Sequence, residues 1–449
     1  MIKSYRKGTA SLFALICVSF LNAYAFAEEY TLDNLYRIAL EQSEKIKISE
    51  ENLNLAEINK KKAIAYLNPK LTAYSNYIRF TEEKRAAETN LGLVTLPGSL
   101  YQPYEMITWG MRMDYHFSLS GNSITAYNIS KINIEKNKFD LRAVKNEYLF
   151  AVASAYYNYL KAKKIEEIAQ ANLERLLKYR NAADKRLKVG EVTKTVLLRA
   201  ESELSNAQSE SVKTMNGVII TKAALTRIVG INRDSLIKET PPEAIDVKSL
   251  SYYQDLAVEK RSDIKSLELQ KKIAEDQIKY NEGFYWPFLS LAGVYERKEQ
   301  CPSTATTNRE SMYTLVSLNF PFYEGGLRIA EVKETKAKKK QADLLYDDLI
   351  KTIMIEIQST YLELQTQKGI LKYLEDQRSY ARDNYRAVSR QFDFGLADSI
   401  DVLDATTALV SAEMKLAEAA YTFELSLLKM KKVTGVFLES IAADAQPDQ

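Results

Sequence analysis

The sequence predicts a mainly α-helical, internally duplicated chain that carries a smaller β part. Three observations carry that reading: self-similarity at a long offset, two segments of strict period-two alternation, and long stretches at helical spacing. Ala39-Leu40-Glu41 returns as Ala257-Val258-Glu259, Ala56-Glu57 as Ala274-Glu275, and Leu67-Asn68-Pro69 as Tyr285-Trp286-Pro287, each shifted by 218. Ser154-Ala155-Tyr156 returns as Ser359-Thr360-Tyr361, Gly190 as Gly395, and Gly230-Ile231 as Gly435-Val436, now shifted by 205. The change of offset gives the first copy 13 extra residues, between about residues 80 and 106. A repeat of this length is far beyond a solenoid unit and reads as two halves of one quasi-symmetric object.

Residues 1–27 read as a secretory signal peptide, with Lys3, Arg6 and Lys7, an apolar stretch from Leu12 to Leu21, and the small-residue site Ala25-Phe26-Ala27. Cys17 lies inside the apolar stretch, unlike a lipid-attachment cysteine. The first repeat then covers 28–230: a helix, a β-hairpin over 69–117 and a long helical hairpin over 122–230. A linker, 231–249, contains Pro241-Pro242. The second repeat covers 250–435, with a helix, a hairpin over 287–322 and a helical hairpin over 326–435. A tail, 436–449, ends the chain.

The strands rest on alternation. Ile107, Trp109, Met111, Met113, Tyr115 and Phe117 alternate with Met106, Thr108, Gly110, Arg112, Asp114 and His116, apolar on one face and mostly polar on the other. In the second copy Met312, Thr314, Val316, Leu318, Phe320 and Phe322 keep the apolar face. Two readings fit: soluble hairpins on a helical body, or strands of an outer-membrane type barrel presenting Ile107, Trp109, Met111, Met113, Tyr115, Phe117, Val316, Leu318 and Phe320 to lipid. Four strands cannot close a membrane barrel, since the smallest have about eight, so the second reading requires oligomers. The stretch Thr81–Glu105 reads as a long external loop and Arg297–Glu310 as its shorter mate.

The helices rest on spacing. Val402, Leu409, Leu416, Phe423 and Met430 recur every seven residues, with Ala405, Ala412, Ala419, Ser426 and Val433 three after each. Leu197, Leu204, Ser211, Val218 and Leu225 repeat the pattern with Ala200, Ala207, Thr214, Thr221 and Ile228. Large residues alternate with small ones, which lets a neighbouring helix approach closely. Leu345, Leu349, Ile353, Ile357 and Tyr361 step by four instead, the spacing of a straighter helix. Gly190 and Gly395 mark reversals, with Thr193 and Asp398 as N-caps of the returning helices.

The chain has 62 Lys+Arg against 59 Asp+Glu, and three of the basic residues lie in the signal. The remainder is formally neutral, which argues against nucleic acid as a partner. Beyond the signal, Cys301 is the only cysteine and His116 the only histidine, so no His-based triad, metal cluster or intrachain disulfide is expected. Neither a phosphate-binding glycine loop nor HExxH occurs. No enzymatic activity, cofactor or metal is expected.

The order of these elements resembles the TolC-type outer membrane efflux proteins, the outer membrane factor family. The closest local likeness is Gly395-Leu396-Ala397-Asp398-Ser399-Ile400-Asp401-Val402-Leu403-Asp404-Ala405-Thr406-Thr407, similar to that family's periplasmic tip. Phe320-Pro321-Phe322 with Gly325-Gly326 resembles its strand-exit motif. The resemblance implies a homotrimer: four strands per chain in one β-barrel, and long antiparallel coiled-coil helices forming a periplasmic α-barrel. It also implies passive conduction from the periplasmic end to the exterior, as the exit duct of a tripartite efflux pump or a type I secretion system. The partners implied are a periplasmic adaptor (membrane fusion) protein, an inner-membrane transporter and outer-membrane lipid. A non-conducting periplasmic coiled-coil scaffold anchored at the outer membrane is the alternative.

By the same resemblance Asp401 and Asp404 form carboxylate rings at the periplasmic constriction, which select cations. A solvated helix start, where acids are favoured anyway, is the other reading. The turns at Gly190 and Gly395 are expected to contact the adaptor. Two departures stand out: Ala397 where the family has an arginine, and Val196 where it has an acid, although Thr195 matches. Thr195 and Arg199 are therefore the expected gate partners.

Overall fold

The computed structural model describes residues 29–90, 92–233, 235–240, 247–302 and 309–444. The signal peptide, Cys17 and Pro241-Pro242 lie outside the described residues, as does the end of the tail. In order, the elements begin with β1 (Glu29–Tyr30), α1 (Leu32–Gln42) and α2 (Glu44–Ala65). They continue with β2 (Lys70–Arg79), β3 (Lys84–Arg85), β4 (Thr89–Asn90), β5 (Thr95–Leu96), β6 (Leu100–Gln102) and β7 (Glu105–Ser118). The long pair α3 (Asn122–Lys188) and α4 (Lys194–Val229) follows, then β8 (Leu236–Ile237), α5 (Leu250–Lys260) and α6 (Ser262–Glu282). β9 (Phe288–Cys301), β10 (Glu310–Asn319), α7 (Leu327–Asp393), α8 (Ser399–Val433) and α9 (Phe437–Asp444) complete the chain. It divides into two compact units, one of residues 48–142 and 262–352, the other of the remainder.

The first unit is built on one antiparallel sheet of order β10-β9-β7-β2. Each hairpin supplies two strands, and β7 joins β9 from Glu105↔Cys301 to Ser118↔Phe288. Paired residues share a face, so the register assembles two opposite surfaces. Leu71, Trp109, Met111, Phe117, Leu291, Tyr295, Val316 and Leu318 fall on one of them. That face is bare: Met111 is 68% exposed, Val316 61% and Leu318 65%. The other face carries polar groups that pair within the sheet. Arg112 Nε donates to both oxygens of Asp114 at 2.8 and 2.9 Å. His116 Nδ1 lies 3.0 Å from Ser290 Oγ, and Glu296 accepts from Ser311 Oγ at 3.1 Å.

Three details depart from the sequence reading. β9 continues to Cys301, through Arg297 and Lys298, which were expected in a loop. The charges are carried because they pair within the sheet: Arg297 with Glu310 at 3.2 Å and Lys298 with Glu296 at 2.9 Å. β10 ends at Asn319, so Phe320, expected on the strand, lies one residue past it, before Pro321, which has no N–H to donate. The stretch expected as an open loop after β2 instead prolongs the hairpin, with β3 paired to β6 and β4 to β5. Gly98 permits this: a Cβ there would lie 1.7 Å from the Ala86 carbonyl oxygen.

The second unit holds the helical hairpins from residues 143 and 353 onward and the main core. Leu35, Tyr36 and Ala39 of α1 pack with Leu149, Val152 and Tyr156 of α3, Leu225 and Val229 of α4, and Phe437. Burying a side chain of this size contributes about 1.5–3 kcal/mol. Tyr156 is fully buried, and its hydroxyl donates to Lys238 O at 2.8 Å and accepts from Thr240 N at 3.0 Å. Those bonds pin the segment after β8, which itself pairs in parallel with β1.

The heptad seam is buried chiefly through its small members. Ala405, Ala412, Ala419 and Ser426 are buried on α8, and Ala200, Ala207 and Thr214 on α4. Val402, Leu409 and Met430 are buried too, whereas Leu416 and Phe423 are half-buried at a groove of about 630 Å³. Of the four-step ladder on α7, Ile353 and Ile357 are buried and Leu345 is 59% exposed.

Candidate functional site at the two helical turns

Both reversals close in the same way. Gly190 N–H donates to Leu187 O at 3.1 Å and Glu191 N–H to Arg186 O at 2.9 Å. Gly395 N–H donates to Phe392 O at 3.1 Å and Leu396 N–H to Gln391 O at 2.8 Å. These are the paired bonds of a left-handed C-cap. The glycines sit at φ +79° and +71°, with open space where a Cβ would stand. Backbone conformation alone asks for glycine here.

The helices that return from these turns begin differently. Asp398 caps α8: its Oδ1 accepts from Ile400 N–H at 3.3 Å, while Asp401 Oδ2 accepts from Asp398 N–H at 3.0 Å. This reciprocal box satisfies donors the helix cannot satisfy itself. A hydrogen bond from the Ser399 hydroxyl, then the Ile400 N–H, holds the Asp398 carboxyl below its ordinary range, and the charge of Arg199 adds to the effect. Thr193 has the extended backbone of an N-cap before α4, but its side chain makes no capping bond. Val196 stands where α8 has Asp401, so no carboxylate reaches back.

Asp401 and Asp404 are both exposed, as are Thr195 and Arg199. Asp401 is occupied by its cap, whereas Asp404 has no hydrogen bond or ion pair among the described residues. The charge of Arg199 acts on Asp398, the cap of α8.

The bonds that join the two hairpins come from residues the sequence reading passed over. Arg186 Nη1 donates to Phe392 O at 3.2 Å, and its guanidinium lies 4.4 Å from the centroid of the Phe392 ring. Tyr179 donates to Ser399 O at 3.3 Å and packs on Phe392 at 5.6 Å. Farther from the turns, Glu413 of α8 meets Arg382 of α7 at 3.3 Å and Arg175 of α3 at 3.7 Å. Arg186 and Phe392 lie within about one turn of Gly190 and Gly395 respectively, but nothing local in the sequence joins them.

Among the described residues no group of three or more His, Cys, Asp or Glu side chains could hold a metal ion. Nor is any helix there long and apolar enough to cross a membrane. An exposed apolar sheet face joined to long, glycine-reversed helical hairpins is the make-up of an outer-membrane channel protein. The chain belongs to the family described as outer membrane efflux protein, whose model matches residues 35–231 and 254–436. That is a family of channel proteins rather than of enzymes, and this member is a protein of the cell outer membrane with a large periplasmic part.

Among curated relatives, the alkaline protease secretion protein AprF of Pseudomonas aeruginosa is 22% identical over 313 residues, 68% of this chain and 65% of AprF. The match thus spans slightly less than two thirds of AprF. The outer membrane protein TolC of Vibrio cholerae is 22% identical over 309 residues, 67% of this chain and 70% of that one. Among solved structures, the outer membrane protein VceC of Vibrio cholerae superposes with a TM-score of 0.75 at 18% identity, covering 90% of this chain and 96% of VceC. The CmeC outer membrane channel of Campylobacter jejuni gives 0.76 at 16%, covering 92% and 89%.

Proposed function

We propose that three copies of the chain join into a channel-tunnel that passively conducts substrates from the periplasmic end to the cell exterior. The observation that carries this reading is the sheet: apolar and bare on one face, polar and hydrogen-bonded on the other, with β2 and β10 both left as open edges. Pairing β10 of one copy with β2 of the next closes about twelve strands and removes every edge. The apolar face, including Ile107, Trp109, Met111, Met113, Tyr115, Val316 and Leu318, then meets lipid, and the Arg112, Asp114 and His116 face lines the lumen. Phe320 joins the aromatic rim at the strand exit.

The helices support the same assembly. Val212, Met215 and Ile219 of α4 are 57%, 48% and 60% exposed at heptad spacing, as are Ile355 and Leu362 of α7 at 69% and 53%. Such stripes are what neighbouring helices of a coiled-coil barrel cover. A non-conducting scaffold leaves the apolar sheet face unexplained.

At the turns, Asp401 and Asp404 supply about six carboxylates in a trimer, a ring that favours cations. Because Asp401 also caps α8, Asp404 carries more of the selectivity. Thr195 and Arg199 act as gate partners, and the Gly190 and Gly395 turns meet the periplasmic adaptor, behind which an inner-membrane transporter supplies energy. The exit duct serves a tripartite efflux pump or a type I secretion system, the latter reading supported by the likeness to AprF.

Single-channel recording of the purified protein in a planar bilayer tests this. Small cation-selective currents are expected, with Asp404→Asn losing more selectivity than Asp401→Asn. Selectivity unchanged in the double variant removes the ring. Folded trimers that pass no current, even with loosened turns, overturn conduction. Arg199→Ala is expected to raise the closed-state leak, and an unchanged leak removes Arg199 from the gate.

A further inference from the structure

A groove of about 710 Å³ in the sheet-bearing unit lies between α2, α3 and α6 and has no part in the conduction argument. Five lysines line it, Lys60, Lys61, Lys131, Lys138 and Lys272, against the two acids Glu57 and Glu135. Among the described residues only Lys138 of the five is in an ion pair, with Glu135 at 2.8 Å. Lys60 and Lys131 each place an ammonium 5.9 Å from the centroid of the same Tyr127 ring. Neither has an acidic partner among the described residues. Between the lysines the floor is apolar, with Ile64, Ile132 and Leu269.

Two like charges gathered on one ring, neither in an ion pair among the described residues, beside apolar lining residues match an anion that carries an alkyl chain. Position narrows the class. Lys60 lies five residues before the end of α2, which leads into β2, and Tyr127 five residues inside α3, which follows β7. At about 1.5 Å per residue, both stand within about 8 Å of helix ends that hand over to the sheet. The headgroup layer of a bilayer is itself roughly 5–8 Å deep.

We infer that this groove seats an anionic phospholipid of the periplasmic leaflet, its phosphate between Lys60 and Lys131 and the start of an acyl chain over Ile64. The inference rests on the sheet spanning the membrane as proposed above.

The test uses the full-length mature protein in mild detergent, with bound lipid counted by native mass spectrometry after adding phosphatidylglycerol or phosphatidylcholine of equal chain length. Phosphatidylglycerol should be retained over phosphatidylcholine, and Lys60→Gln/Lys131→Gln should weaken that retention about thirtyfold while leaving phosphatidylcholine unchanged. Equal retention of the two lipids overturns the inference, as does equal phosphatidylglycerol retention by the variant. Displacement of the lipid by millimolar inorganic phosphate identifies a free-anion site and also overturns it. Flotation of the protein with vesicles reads the membrane-spanning proposal separately, because the detergent measurement scores the groove whether or not the protein floats.

Discussion

The turn at Gly190 and the turn at Gly395 share a backbone and differ in what secures the helix that follows. Each closes through the same pair of hydrogen bonds and the same left-handed glycine. After Gly395, Asp398 and Asp401 cap α8 reciprocally. After Gly190, Thr193 and Val196 occupy the equivalent positions and supply no side-chain bond. The two turns keep one conformation, which only glycine satisfies cheaply, and differ in their side chains. The start of α4 is therefore the easier of the two to unwind, and the second hairpin is the anchored member of the pair.

The largest test breaks the bond between the turns. Arg186→Ala removes both the stacking on Phe392 and the hydrogen bond to its carbonyl, together about 2 kcal/mol. Amide exchange across 390–396 should accelerate about thirtyfold, and unchanged exchange there would mean that the hairpins are held elsewhere. Next come Gly190→Ala and Gly395→Ala, each expected to cost about 1–2 kcal/mol in urea unfolding because a Cβ disfavours positive φ. Unequal costs would show that the backbones are less equivalent than their bonds imply.

A smaller effect sharpens the contrast. Thr193→Asp with Val196→Glu installs the missing box and should slow exchange at the first amides of α4 by about 1 kcal/mol. Acid should do the reverse at α8 alone. The Asp398 carboxyl is held below its ordinary value, so its contribution is complete above the unfolded pKa of about 4 and fades as pH falls through the lower folded value. Exchange at Ile400, corrected for its intrinsic pH dependence, should rise in that window, while exchange at Thr195 and Val196 should not.

Much of the fold was legible because it repeats at short period. Alternation from Met106 to Phe117 places each side chain on its face without knowledge of any partner, and the seam on α8 follows from spacing alone. What stayed hidden depended on pairing across the chain. The run Arg297 to Glu299 looks like a loop until β7 and Glu310 are beside it. Arg186 and Phe392 are some two hundred residues apart, and no local pattern joins them. Asp401 was legible as an acid at a helix start, but its commitment to the Asp398 amide depends on the bend between Gly395 and Asp398. For the candidate site, then, the turns could be read and the bond between them could not.

The sheet carries one more consequence, a matter of timing. Its open edges, β2 and β10, are ten residues each. On β2 the charges sit only at the ends, Lys70 and Arg79, and on β10 only at Glu310. The eight or nine residues between have no charged gatekeeper, no proline and no bulge, the usual guards against stray pairing. Under the proposed trimer, a lone copy is thus at its most vulnerable before its neighbours arrive, and the yield of assembled protein is set by a race between correct encounter and aggregation. Raising the concentration of newly made chain speeds both competitors, so a helper that shields one edge would improve yield more than faster synthesis.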